Sequence, residues 1–151
     1  MIRWLNAFLP VVLWMSIIFI GSTDLGSTQR TSRIIGPILR WFNPNVSAEA
    51  IDAVQIVVRK SGHVCIYAVL ALLVWRGLRV IRRVKLLEGG WSWPEMWGIV
   101  AFCAAYAVTD ELHQSFVQSR EGSPFDVGFD SLGAICALLA VWYFGRRKNR
   151  W

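Results

Sequence analysis

The segment TDELHQSFVQSREGSPFDVGFD, residues 109–130, is the most informative part of the sequence, because it gathers polar groups between two strongly apolar runs. Residues 102–108 precede it and residues 132–144 follow it. Ionisable side chains inside a membrane are costly and usually mark a functional site. The first question is therefore whether the flanking runs cross a membrane.

Composition favours a membrane protein. The chain has 151 residues, of which 55% are hydrophobic and only 17% are charged, whereas soluble domains are about a quarter charged. Its net charge of +6 comes from basic residues at the ends of apolar runs, which is typical of membrane topology rather than of nucleic-acid binding. We expect one domain over residues 1–151, with the bilayer as a partner and no nucleic acid.

Four apolar runs are long enough to cross a bilayer, which needs about 20 residues in a helix. They cover residues 4–20, 61–78, 93–116 and 125–144. Between the first two, residues 32–42 fit an amphipathic helix in the membrane interface, interrupted at Gly36-Pro37. The sequence thus predicts an all-α bundle of four transmembrane helices with one interfacial segment. Cys65, Cys103 and Cys136 lie in apolar runs and are expected to be free and buried.

Polar residues recur on one face where the second span begins. Ser47 and Glu49 suit the start of a helix that continues into this span. Lys60, His63 and Tyr67 follow at i, i+3 and i+7, which places them on one face of that helix. We expect the Tyr67 hydroxyl to be buried with a hydrogen-bond partner.

The third span ends in a second polar set. Asp110, His113 and Gln114 share one helical face, and Glu111 is turned about a quarter-turn away from it. Glu111 is therefore a candidate for a solvated carboxylate at the end of the helix.

The fourth span carries the third polar set. Arg120 lies in the loop before it, and Asp126 and Asp130 lie one turn apart at its start. Gly133 and Ala137 form a small-x-x-x-small pair, which allows close helix packing.

Counting Lys and Arg predicts the orientation of the four spans. With both termini inside, the inner segments hold ten basic residues and the outer segments hold six, together with eight of the ten acids. The chain is then a multi-pass protein of the cell membrane with cytoplasmic termini. All three polar sets reach the outer leaflet, where they would meet in one pocket.

Three motifs in order resemble the VanZ-like family: RKSGHxxxY (residues 59–67), DExxQxF (residues 110–116) and RxxSxxD (residues 120–126). The resemblance extends from the first span to the fourth. It implies a small multi-span protein of the cell envelope, linked through the family's namesake to resistance against the glycopeptide teicoplanin. Where the family often has Asn near the top of the fourth span, this sequence has Asp130.

Part of the same sequence also resembles the membrane lipid-phosphate phosphatases. Ser61-Gly62-His63 and the run from Ser119-Arg120 to Asp126 mimic two of their signatures, with Asp126 where that family has a nucleophilic histidine and His63 where it has the acid. The remaining signature, Lys-x6-Arg-Pro, is absent. A carboxylate accepts phosphoryl groups in other enzymes, so phosphoryl or acyl transfer by Asp126 or His63 is one alternative.

A metal site is not predicted. His63, His113, Glu111 and Asp126 are the available ligands, but no HxxxH or HExxH spacing occurs, so we expect neither metal nor cofactor.

The leading interpretation is an outward pocket that binds an anionic lipid or a lipid-linked cell-wall precursor. Lys60 and Arg120 would hold the anion, because Lys and Arg are the natural partners of phosphate. Asp110, Asp126 and Gln114 would orient these cations. A further alternative is an ion network that only stabilises the bundle. The candidate binding residues are Lys60, His63, Tyr67, Asp110, Glu111, Gln114, Arg120, Asp126 and Asp130, and the catalytic candidates among them are His63, Asp126, Asp110 and Glu111.

Overall fold

The computed structural model describes residues 2–23, 28–84, 90–117 and 122–148, and within these ranges it is helical with no strand. The helices are α1 (Ile2–Gly21), α2 (Thr28–Phe42), α3 (Ala48–Val84), α4 (Trp93–Ser115) and α5 (Pro124–Arg147). The all-α prediction is therefore confirmed.

Local sequence signals fix where the last three helices begin. The Ser47 hydroxyl accepts the Ala50 N–H at 3.2 Å before α3, and the Ser92 hydroxyl accepts the Glu95 N–H at 3.4 Å before α4. Pro124 opens α5, where its missing N–H needs no partner. As predicted, α3 then continues without a break into the second apolar run, for 37 residues in all.

The expected interruption of the interfacial segment is wrong. α2 passes through Gly36 and Pro37 as one helix, which loses the single backbone hydrogen bond that Pro37 is unable to donate. α2 packs against α3 while its apolar side chains stay exposed on one surface. These exposed side chains are Ile34, Ile38, Trp41 and Phe42.

α3 is the centre of the bundle. It contacts each of the other four helices, and α4 also packs against α5. Hydrogen bonds tie α1 to its neighbours. The Trp14 indole N–H donates to the Ile66 carbonyl at 3.0 Å, and the Tyr106 hydroxyl donates to the Met15 carbonyl at 2.6 Å. The buried core joins side chains of α1, α3, α4 and α5, among them Val11, Leu70, Ile99, Cys103, Ala134 and Leu138.

Among the described residues, three segments are long and apolar enough to cross a membrane, namely Trp4–Gly21, Ala48–Arg82 and Pro124–Arg147. Many large apolar side chains on them are exposed, as lipid-facing side chains are. α4 is not among these segments, because Glu95 lies near its start and Asp110 and Glu111 lie near its end. A fourth crossing by α4 stays a prediction.

The expected burial of the cysteines holds for one of the three. All three are free, but only Cys103 is buried in the core. Cys65 and Cys136 are exposed, because an apolar run on a helix that faces lipid need not face the protein interior.

Basic residues gather at one end of the bundle. Arg82 forms an ion pair with Glu95 at the start of α4, and Arg76 donates to the Asn6 carbonyl at 3.4 Å. Trp93 contacts Trp142 with ring centroids 5.5 Å apart, which brings the end of α5 to the same level. We call this the basic end. Its members in the described residues are Arg76, Arg79, Arg82, Arg146, Arg147 and Lys148.

Candidate functional site

At the opposite end of the bundle, members of the three polar sets meet between α3, α4 and α5. We call this group the polar cluster. In the described residues it consists of Arg59, Lys60, His63 and Tyr67 from α3, Asp110, Glu111 and Gln114 from α4, and Asp126 and Asp130 from α5. All of its α4 and α5 members are buried. Arg120 lies outside the described residues.

Asp126 joins α5 to α3 through two cations. Its side chain is fully buried, and one carboxylate oxygen accepts from Arg59 Nη2 at 2.8 Å. The other oxygen forms an ion pair with Lys60. A carboxylate with both oxygens occupied by cations has its position fixed and is poorly exposed for attack on a substrate. This arrangement favours a positioning role for Asp126 over the nucleophile that the phosphatase resemblance implies.

Arg59 was missing from the predicted site residues. Arg59 and Lys60 are consecutive, so their side chains leave the helix about 100° apart, and a one-face pattern finds only one of them. Both side chains are long enough to reach the same carboxylate. The sequence signal that could have identified Arg59 was its position next to Lys60, with an acid, Asp126, at the same level of another helix.

His63 pairs with Asp130 one turn further along both helices. The His63 Nδ1 and Asp130 Oδ1 atoms are 3.0 Å apart. Asp130 is fully buried, and its second oxygen, Oδ2, has no hydrogen-bond partner among the described residues.

On α4, Gln114 links the two carboxylates that precede it. Its Nε2 donates to Asp110 Oδ2 at 3.2 Å and lies 3.5 Å from both Glu111 Oε1 and the Ser22 hydroxyl. Asp110 and Gln114 thus share a face, as predicted.

The expectations for two other α4 residues are wrong. Glu111 is buried, not solvated, since its Oε2 accepts the Ser123 backbone N–H at 2.7 Å and so binds the first residue before α5. His113 does not join the polar cluster. Its ring lies against Phe19 on α1, with centroids 4.2 Å apart.

Tyr67 is buried as predicted, but the described residues do not include the expected hydrogen-bond partner. Its side chain is 1% exposed, and its hydroxyl has no partner among the described residues. Asp110 Oδ1 is in the same condition. A buried polar atom without a partner costs about 1–3 kcal/mol, so these groups are candidates for contact with a ligand.

A cavity of about 630 Å³ opens beside the polar cluster, between α1 and α3. Its polar inner end includes Arg59, His63, Tyr67, Asp110 and Gln114. Its apolar walls come from Trp14, Ile17, Ile18, Ile56, Val58 and Ile66. Lys60 and Asp126 do not line it. Part of the wall is exposed on the outside of the bundle, since Ile17 and Ile66 are 55% and 39% exposed, so the cavity opens sideways.

Potential metal ligands lie together, but they are not the set considered from the sequence. His63, Glu111 and Asp130 each offer a ligand atom within 4.8 Å of the other two. His113 and Asp126 belong to other contacts. The sequence spacing had no means to find this set, because each ligand comes from a different helix.

Comparison with known protein families identifies the family of this chain. The family model described as VanZ/LLP1 matches residues 7–145, which is nearly the whole chain and includes all of the polar cluster. No curated protein and no solved structure matches the chain.

Proposed function

Because the chain belongs to the VanZ/LLP1 family, we propose that it is a membrane protein whose cavity binds an anionic lipid or a lipid-linked cell-wall precursor. In this proposal α4 also crosses the bilayer, both termini are cytoplasmic, and the polar cluster lies at the outer leaflet of the cell membrane.

The observation that carries the proposal is the division of the cavity into apolar walls and a polar inner end. Small-molecule sites are mostly apolar with a few polar groups that fix orientation. An amphiphile matches both parts, with its chain along Ile17 and Ile66 and its headgroup beside Arg59, His63 and Tyr67.

Arg59 is the cation that supports binding of an anion. It lines the cavity and uses Nη2 to bind Asp126, which orients the planar guanidinium from behind. Lys60 then has a different role from the one expected from the sequence: it holds the other oxygen of Asp126. We retain Arg120 as a second cation for the headgroup, as the sequence suggests.

The headgroup also needs hydrogen-bond donors. Asp52 and Asp110 line the same cavity and repel a bare anion. They accept hydrogen bonds from hydroxyl or amine groups, so a phosphate attached to a sugar fits this mixture of charges better than a phosphate alone.

Two other functions have weaker support. Phosphoryl transfer by Asp126 requires an accessible carboxylate, whereas Asp126 is fully buried and doubly paired. A network that only stabilises the bundle does not use the cavity. Teicoplanin resistance, expected for the family's namesake, would follow if the ligand is a cell-wall precursor.

Lipid binding by the purified chain tests the proposal. Native mass spectrometry compares a polyprenyl phosphate with the polyprenol of the same chain length. We expect the wild type to prefer the phosphate. Arg59→Lys should bind the phosphate more weakly than the wild type, because the planar guanidinium is lost. Arg59→Gln should bind it at least about tenfold more weakly than the wild type. Arg120→Lys and Arg120→Gln should follow the same order.

Arg40→Gln is the matched control, because Arg40 is an exposed arginine on α2 outside the cavity. It should bind like the wild type. Equal binding of phosphate and alcohol, or equal binding by all variants, would contradict the proposal and favour the stabilising network.

A further inference from the structure

One potential ligand atom from each of three helices converges inside the polar cluster. These atoms belong to His63 on α3, Glu111 on α4 and Asp130 on α5, and they lie within 4.8 Å of one another. We propose that the three residues form a binding site for a divalent transition metal, zinc or manganese.

The donor set suits such an ion. An imidazole nitrogen with two carboxylate oxygens is a common ligand set for zinc and manganese. Bonds of about 2.1 Å hold tetrahedral ligand atoms about 3.4 Å apart, so the three atoms must approach by up to about 1.4 Å. Small side-chain rotations supply this movement. Three protein ligands leave a fourth position open to water or to a bound group.

An independent observation at Asp130 points to a missing partner. Asp130 is fully buried, and while Oδ1 contacts His63, Oδ2 has no hydrogen-bond partner among the described residues. The Tyr67 hydroxyl, one turn beyond His63 on α3, is also buried without a hydrogen-bond partner among the described residues. A buried carboxylate is normally paired or coordinates a metal.

The charges around the site support a cation. Four carboxylates of the polar cluster are buried: Asp110, Glu111, Asp126 and Asp130. In the described part of the chain, the two cations of the polar cluster, Arg59 and Lys60, both pair with Asp126. The remaining carboxylates therefore have no lysine or arginine within ion-pair distance there, and a divalent ion would balance two of them.

Groups around Glu111 hold it in place. The Ser123 backbone N–H donates to its Oε2 at 2.7 Å, and Gln114 Nε2 lies 3.5 Å from its Oε1. Outer contacts of this kind orient metal ligands and raise their affinity. The metal site does not depend on the proposed lipid. Of its three ligands, Glu111 and Asp130 do not line the cavity and only His63 does.

Metal analysis of the full-length chain tests the site. The protein is purified in detergent with a tag that contains no histidine, equilibrated with zinc or manganese, and dialysed against metal-free buffer. We expect about one metal ion per chain in the wild type. His63→Gln and Asp130→Asn should each bind at least about tenfold more weakly.

His113→Gln is the matched control, because it removes the other histidine of the chain from a contact outside the site. It should retain the metal. Glu111→Gln provides a second test that preserves an acceptor for the Ser123 N–H, so its loss of metal is separable from loss of fold. Size-exclusion profiles establish folding of each variant, and the absorption spectrum of the Co²⁺ form reports on nitrogen and oxygen ligands.

Two results would overturn the proposal. One is a wild-type protein with far less than one metal ion per chain, which would leave His63 and Asp130 as a hydrogen-bonded pair. The other is equal metal content in wild type and in folded His63→Gln and Asp130→Asn proteins.

Discussion

Asp126 shows how one buried residue connects two helices. Its side chain is fully buried, whereas 28% and 26% of the Arg59 and Lys60 side chains remain exposed. Breaking a fully buried ion pair costs about 3–5 kcal/mol. Solvent screens the two cations in part, so the expected cost here is smaller.

We therefore predict unequal effects of removing the two sides of this network. Asp126→Leu leaves both cations without the acid and should lower the free energy of unfolding by about 1–3 kcal/mol. Lys60→Met leaves the Arg59 pair in place and should cost less. Unfolding of the purified variants in detergent gives the comparison.

The double variant Lys60→Met with Asp126→Leu should recover only part of the stability, since Arg59 stays unpaired. Adding Arg59→Met should recover more. A double variant as stable as the wild type would show that Arg59 contributes nothing to the network.

At the level of single residues, helical periodicity predicted much of the polar cluster. It placed Lys60, His63 and Tyr67 on one face, and the charge bias brought that face to the level of Asp110 and Asp126. The pattern had no access to side-chain reach or to pairing between helices. The pairing of Arg59 with Asp126, the burial of Glu111 and the pairing of His63 with Asp130 therefore appear only in three dimensions.

Between helices, α3 and α5 approach each other closely at Gly133. A Cβ atom at Gly133 would overlap the Val64 backbone carbonyl. Backbone atoms move only with their helix, so α5 needs glycine here to reach α3. The contact lies one turn beyond Asp130, and it thus sets the distance across which Asp126 and Asp130 meet their partners.

Gly133→Ala should accordingly destabilise the bundle by about 1–3 kcal/mol, since it forces the two helices apart. Gly128→Ala is the control on the same helix, because a Cβ there meets nothing within 4 Å. The control should be neutral or more stable by up to about 1 kcal/mol. Thermal unfolding of both variants in one detergent is the measurement, and equal midpoints would contradict the close contact.

Gly133 of the small-x-x-x-small pair thus predicted where α5 packs closely, and Ser47 predicted the start of α3. The prediction from the sequence was wrong for α2, where Gly36-Pro37 suggested a break in the helix. Contact with α3 outweighs the local preference there, and local preference was all that the pattern contained.

Over the whole molecule, charge divides the two ends. Most of the arginines in the described residues of the bundle lie at the basic end, and the polar cluster lies at the opposite end. Cytoplasmic segments carry the excess of Lys and Arg, so this division supports the proposed orientation.

Single cysteines should report that orientation. In a background without Cys65, Cys103 and Cys136, we expect an impermeant thiol reagent to label Asn45→Cys in intact cells. Gly90→Cys and Lys148→Cys should react only after permeabilisation. Labelling of the last two and not of the first, in intact cells, would reverse the orientation.

The sideways opening of the cavity changes how its occupancy must be measured. The lipid ligand that we propose would enter past Ile17 and Ile66 by diffusion within a leaflet, so its search would be two-dimensional. The concentration that governs occupancy is its mole fraction among the surrounding lipids, not its molarity in water. A modest dissociation constant, expressed as a mole fraction in the leaflet, is then enough to fill the cavity. Titrations at one aqueous concentration but different lipid-to-protein ratios will report different affinities for the same unchanged site.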